Sequence, residues 1–194
     1  MTDISSIPCR SAYIDQYLLD TTIDLCEKYK ITKFVETGSY HGGSAKIVSR
    51  YIREVHTIEN DPDLFKISQK NLKNYLNVTL HFGNSSEILN KVLSEGDDNI
   101  FLFLDAHWGL YWPLLDEFKV IKQKNIKPVI AIHDFFVPPN GQFGYDVHPG
   151  DGTILNFDYI NQSVNEIYDG QYEYFYNTKC SDINSGIIYI YPKK

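Results

Sequence analysis

Lys33-Phe34-Val35-Glu36-Thr37-Gly38-Ser39-Tyr40-His41-Gly42-Gly43-Ser44 is the stretch whose reading decides the fold. Lys33 to Glu36 reads as a short buried strand that ends at a glycine, and a helical pattern runs on from Ser44 to Arg53. Glycine permits a tight turn, a positive φ and close backbone approach to a ligand. The spacing is not the dinucleotide fingerprint, because G-x-G-x-x-G needs a glycine where Tyr40 stands, and no Gly-Lys-Ser/Thr follows to make a phosphate loop. An acid at the strand end repels a pyrophosphate and attracts an ammonium. Glu36 therefore points to a ligand that carries a positive amino group.

Outward from this turn, short apolar runs alternate with helical patterns. Before it, Ile14 to Lys30 has helical spacing, so residues 1–30 form an N-terminal helical segment. After it come a strand at Val55 to Ile58, a helix from Asp63 to Leu76 with Asp61 or Asp63 as its cap, and a strand at Val78 to Phe82. Ser85 or Ser86 can cap a helix that reaches about Leu93. Ile100 to Leu104 is a continuous apolar run, as expected of a central parallel strand covered on both faces. A helix over Leu114 to Lys124 and a strand over Pro128 to Ile132 follow. The Gly/Pro-rich residues 138–152 read as a loop long enough to act as a lid. A helix from Phe157 to Tyr168 and strands at Tyr172 to Tyr176 and Gly186 to Tyr191 close the chain. Five βα units and two terminal strands predict a single α/β domain over residues 1–194. It is a doubly wound, Rossmann-like, seven-stranded, mostly parallel sheet with helices on both faces. Ligands of such sheets bind beyond the carboxyl ends of the strands.

Composition narrows the function. The 194 residues carry a net charge of −7, which disfavours a nucleic-acid partner, since such proteins present a basic stripe. The lysines between Lys66 and Lys73 and between Lys119 and Lys127 are interleaved with apolar residues as on solvated helix faces. Fifteen tyrosines and eleven phenylalanines suit a pocket, a core or a homodimer interface alike. Cys9, Cys26 and Cys180 are odd in number and far apart, which suggests neither disulfides nor zinc and fits a reducing cytoplasm. The N-terminus lacks the apolar core of a signal peptide, and no run of 18 apolar residues predicts a membrane span.

Glu59 closes the second strand, 21 residues beyond Gly38, where an acid can accept hydrogen bonds from a ribose diol. Together with the turn it points to a nucleoside-type cofactor. From about Lys33 to Pro139 the chain resembles the class I S-adenosylmethionine-dependent methyltransferases, and among them the catechol-type small-molecule O-methyltransferases. The resemblance rests on VETGSYHGGS, TIENDP, GNSSE, FLDAHW and VIAIHDFFVPP, taken in order. It implies that Glu36 and Gly38 hold the amino-acid end of S-adenosylmethionine and that Tyr40 and Ser44 line it. Glu59 would bind the ribose, Asn84 and Ser85 would border the adenine, and Trp108 would pack on its ring. Asp105 belongs to the same cofactor set.

Methyl transfer from a sulfonium requires an acceptor that is deprotonated and held in line. Asp105 follows the fourth strand and His133-Asp134 the fifth, so these three can converge. They could hold Mg²⁺ or, through His133, another divalent metal, or they could be structural, with Asp105 capping a helix. The family has Asp-Asn where this chain has His133-Asp134, and its catalytic lysine falls at Gly109. His107 and His133 are then the candidate bases beside Asp105. The expected function is methyl transfer to a hydroxyl of a small-molecule acceptor. The alternatives are a nitrogen or macromolecular acceptor, or a non-catalytic cofactor-binding or assembly module.

Overall fold

The computed structural model describes residues 12–97, 99–107, 109–181 and 184–193. A 3-10 turn at Ala12–Ile14 leads into α1 (Gln16–Lys28), whose first N–H groups are capped by the Asp15 carboxylate. The chain then alternates through β1 (Lys33–Thr37), α2 (Gly43–Val48), β2 (Glu54–Glu59), α3 (Pro62–Leu72), β3 (Val78–Phe82), α4 (Ser85–Val92), β4 (Ile100–Leu104), α5 (Leu114–Gln123) and β5 (Val129–Ile132). It ends with α6 (Phe157–Tyr168), β6 (Tyr172–Tyr176) and β7 (Ile188–Pro192). Asp61 is the cap of α3, and Asn84 that of α4. α2 and α3 are clearly shorter than their apolar patterns suggested. α2 stops at Val48, and Asn77 Nδ2 satisfies the Ser49 and Ile52 carbonyls just beyond it.

The seven strands lie in the order β3-β2-β1-β4-β5-β7-β6. β1 to β5 run parallel, and β7 is inserted antiparallel to both β5 and β6. Right-handed crossovers move outward from β1 in one direction and from β4 in the other. Helices α1 to α3 therefore cover one face of the sheet and α4 to α6 the other. β4 shows the consequence for sequence. Phe101 and Phe103 face the first layer, while Ile100, Leu102 and Leu104 face the second, and all five are buried. On the first face Phe34 stacks on Phe101, and Tyr13 packs at 4.9 Å from Phe103.

The strand order reverses between β1 and β4, and the crevice there opens at their carboxyl ends. The loop over 138–152 is tied down rather than free. The Asp146 N–H donates to the Asp134 carbonyl, Val147 bridges Ile154, and Gly144 bridges Ser185. No helix among the described residues is long and apolar enough to cross a membrane.

One core contact tests the second layer. Tyr168 is fully buried, and its hydroxyl donates to the Pro128 carbonyl at 2.6 Å, joining α6 to the start of β5. Tyr168→Phe leaves that buried carbonyl short of a donor and is expected to lower stability by about 1–2 kcal/mol in urea unfolding. An unchanged midpoint would mean that the bond contributes nothing net.

Candidate active site

The turn after β1 is shaped by how closely it meets the end of β4. Gly38 has φ of +86°, and a Cβ there would lie 2.7 Å from the Asp105 carbonyl oxygen. No side chain fits in that space. The Gly38 and Ser39 N–H groups both donate to the Ile58 carbonyl at 3.0 Å, which locks the turn to β2. Tyr40, at φ of +51°, turns its N–H to Glu59 Oε2 at 2.8 Å.

Glu59 Oε1 accepts two more backbone N–H groups, from Asn60 and Asp61, each at 2.9 Å. A carboxylate offers about four acceptor positions, so one remains for a hydroxyl. Glu59 borders a cavity of about 630 Å³ together with Gly38, Tyr40, Leu64, Ser85, Asp105, His107, His133 and Asp134. That volume lies within the range of small-molecule sites, about 300–1,000 Å³.

Three expected contact residues support the walls instead of lining them. Glu36 is fully buried under the turn, where its Oε2 accepts the Thr57 hydroxyl at 2.6 Å, and Thr57 in turn accepts from Ser39 at 2.5 Å. Burial pushes the Glu36 carboxyl up to about 8 against these hydroxyls, which favours its neutral form near pH 7. Ser44 is the second. α2 begins at Gly43, which turns Ser44 inward to hydrogen-bond Glu36. Asn84 is the third. Its Oδ1 caps α4 by accepting from the Ser86 N–H and hydroxyl, while its neighbour Ser85 does border the cavity. Trp108 lies outside the described residues.

At the far end of the cavity the β4 and β5 ends meet. The Asp105 N–H donates to the Thr37 carbonyl and the His133 N–H to the Leu104 carbonyl, so the two loops leave the sheet side by side. His133 Nδ1 lies 3.1 Å from Asp105 Oδ1 and 3.2 Å from Asp134 Oδ2. Burial alone would push the His133 imidazole down, but the two carboxylates overcome it and hold its pKa well above the ordinary value. Its Nε2 is buried without a hydrogen-bond partner among the described residues. Asp134 sits at φ of +51°, and Ser185, 51 residues away, donates to its Oδ1 at 2.5 Å. Against the pull of burial, His133, Ser185 and His107 keep its carboxyl below the usual range. His107 lies 3.5 Å from Asp146 of the long loop, which makes a second His/Asp/Asp group that shares Asp134.

Neither Ser185 nor the role of Glu117 could be read from local sequence. Glu117, on α5, is 1% exposed and lies behind Thr37 and Ser85, whose hydroxyls offset part of the burial that pushes its carboxyl up to about 7. It occupies an ordinary buried position of an amphipathic helix, so only the fold reveals a carboxyl there.

No protein-family model matches the chain. It is 31% identical over 102 residues to ribosomal RNA small subunit methyltransferase A of Clostridium botulinum, a match that spans 53% of this chain and 37% of that protein. The chain thus spans well under half the length of the curated relatives it matches. Among solved structures it is similar to precorrin-6y C5,15-methyltransferase from Geobacter metallireducens, with a TM-score of 0.63 at 15% identity over 99% of this chain and 96% of that one. It is equally similar to the O-methyltransferase TomG of Streptomyces achromogenes, solved with S-adenosylmethionine. There the TM-score is 0.63 at 15% identity over 96% of this chain and 82% of that one. At this identity the likeness is one of fold, and the fold is the Rossmann-like one of the class I methyltransferases.

The buried Glu117 makes a prediction about stability. Its folded pKa lies above the ordinary 4.5 of a glutamate, so between about 4.5 and 7 the folded chain keeps a proton that the unfolded chain has released. Its contribution is therefore full below 4.5 and is lost as pH rises towards 7. Glu117→Gln should match the parent in stability near pH 4.5 and exceed it above pH 7, by on the order of 3 kcal/mol. Parallel stability curves for the two proteins across this range would show that Glu117 is not held protonated.

Proposed function

We propose that this protein binds S-adenosylmethionine and transfers its methyl group to a hydroxyl oxygen of a small-molecule acceptor. The observation that carries the reading is the convergence of Asp105, His133 and Asp134 at one end of a cavity whose other walls are Gly38, Glu59 and Ser85. The cavity fits the cofactor's parts. The bare Gly38 backbone allows close approach, Glu59 keeps one acceptor position for a ribose hydroxyl, and Pro62 and Leu64 supply apolar wall towards Ser85 and the adenine. When bound, the cofactor supplies an electrophilic methyl carbon. The Glu36–Thr57–Ser39 chain holds the turn in shape.

The chain's own task is to take the acceptor's proton and hold the oxygen still. Asp105 and Asp134 orient the His133 ring through Nδ1 and hold it protonated, so its Nε2–H, without a partner among the described residues, is the donor that holds the acceptor oxygen and stabilises the charge it gains. His107, which lines the cavity beside Asp146, is the base in this reading. A second reading gives Asp105, His133 and Asp134 a divalent cation. The donor atoms lie within 4.8 Å of one another, and separations of 3.1 and 3.2 Å suit neighbouring ligands of an ion bound at about 2.1 Å. Such a cation would lower the acceptor hydroxyl's pKa. An RNA acceptor is suggested by the names of the curated relatives, and the net charge of −7 weighs against it.

Calorimetry with S-adenosylmethionine and S-adenosylhomocysteine should give micromolar binding. Glu59→Gln should weaken it by about 1–3 kcal/mol, since a charge-assisted hydrogen bond to the ribose is lost. Binding of neither ligand would remove the reading. Titration with Mg²⁺, Mn²⁺ and Zn²⁺ separates the two mechanisms. A cation bound at the three residues raises the thermal midpoint of the parent but not of Asp105→Asn, whereas the absence of any heat or shift leaves His107 as the base.

A further inference from the structure

Three cavities meet at His133. One is the 630 Å³ cavity assigned above to the cofactor. A second, of about 20 Å³, lies towards Trp112 and Glu117 and has room for about one water. The third, of about 310 Å³, lies between α1 and the β6 and β7 strands, bordered by residues such as Tyr17, Thr21, Tyr176, Lys179, Ser185 and Tyr189. A further cavity of about 390 Å³ lies beside the start of β1, lined by Cys26, Thr32 and Tyr51, and shares no wall with the others. A methyl acceptor must adjoin the cofactor at the group that holds its oxygen. Among the described residues, the third cavity touches His133 and has room for a second organic molecule.

We propose that the 310 Å³ cavity is the acceptor site, and that it takes an anionic, single-ring molecule bearing a hydroxyl. This inference rests on the methyl-transfer reading above. Tyr17, Phe175, Tyr176 and Tyr189 offer aromatic wall to a ring. The charges select its substituent. The Asp15 carboxylate accepts three backbone N–H groups, with Oδ1 taking those of Tyr17 and Leu18 and Oδ2 that of Ser181, so it mainly caps α1. Lys179 Nζ instead lies 5.6 Å above the Tyr17 ring, with no carboxylate at ion-pair distance among the described residues. A ligand carboxylate would complete it. The hydroxyl end of the same molecule then lies towards His133, the residue shared with the cofactor cavity.

The test uses the whole chain saturated with S-adenosylhomocysteine, titrated with 4-hydroxybenzoate and with its neutral counterpart 4-hydroxybenzamide. The parent should bind the anion about tenfold more tightly than the amide. Lys179→Gln should abolish that preference, and Thr21→Trp, which fills the cavity from α1, should exclude both probes. Both variants should bind S-adenosylhomocysteine as the parent does, which shows that they are folded. Equal binding of the two probes, a preference that survives Lys179→Gln, or no binding of either probe to protein that binds S-adenosylhomocysteine would each overturn the assignment. A chain that does not bind S-adenosylhomocysteine at all would fail the methyl-transfer reading itself, and this inference with it.

Discussion

The close approach of the Gly38 turn to the end of β4 is the constraint on which the rest of the site depends. With a Cβ at Gly38 only 2.7 Å from the Asp105 carbonyl, β1 and β4 could not lie in register at their carboxyl ends. Because they do, the Thr37 carbonyl receives the Asp105 N–H, and Asp105 is fixed at the mouth of the crevice. The same turn gives its Gly38 and Ser39 N–H groups to the Ile58 carbonyl, so the ends of β1, β2 and β4 are fastened together by backbone hydrogen bonds. The cavity is thus mainly a product of strand ends, and side chains decorate it.

Around this frame the protein buries several ionisable groups and treats them differently. Glu36 and Glu117 have hydroxyls for company and no cation, so burial drives them towards the neutral form. His133 lies against two carboxylates, and its buried charge is compensated by them and by the Ser185 hydroxyl behind Asp134. The neutral acids act as scaffold, and the charged group is concentrated where the strand ends open. That division separates groups that shape the crevice from those able to move a proton.

The position of His133 also joins the cofactor side of the molecule to the α1 side. β7, inserted antiparallel between β5 and β6, brings Ser185 to Asp134 and Tyr189 beneath α1. A chain whose sheet ended at β5 would have neither the Ser185 contact nor the cavity between α1 and the last two strands. The Tyr-rich C-terminal strands therefore serve as the wall of a cavity as well as part of the sheet.

The order and type of the elements were legible in the sequence, because period and punctuation are local properties. The apolar run Ile100 to Leu104 became the central strand, and the glycine turn after Glu36 became the floor of the cavity. Gly38, Tyr40, Glu59, Ser85, Asp105, His133 and Asp134, all expected at the site, do border the cavity, since residues that directly follow parallel strands share one edge of the sheet. Tertiary structure decided which of the expected residues face the cavity and which stand behind it. Glu36, Ser44 and Asn84 satisfy hydrogen bonds of their own turn and helix ends, a choice set by side-chain direction and not by residue type. Ser185, Asp146 and Glu117 entered the neighbourhood from segments far away in the chain, so no local spacing could announce them. The chain's sequence specified its strands and their ends, and only long-range packing determined what those ends meet.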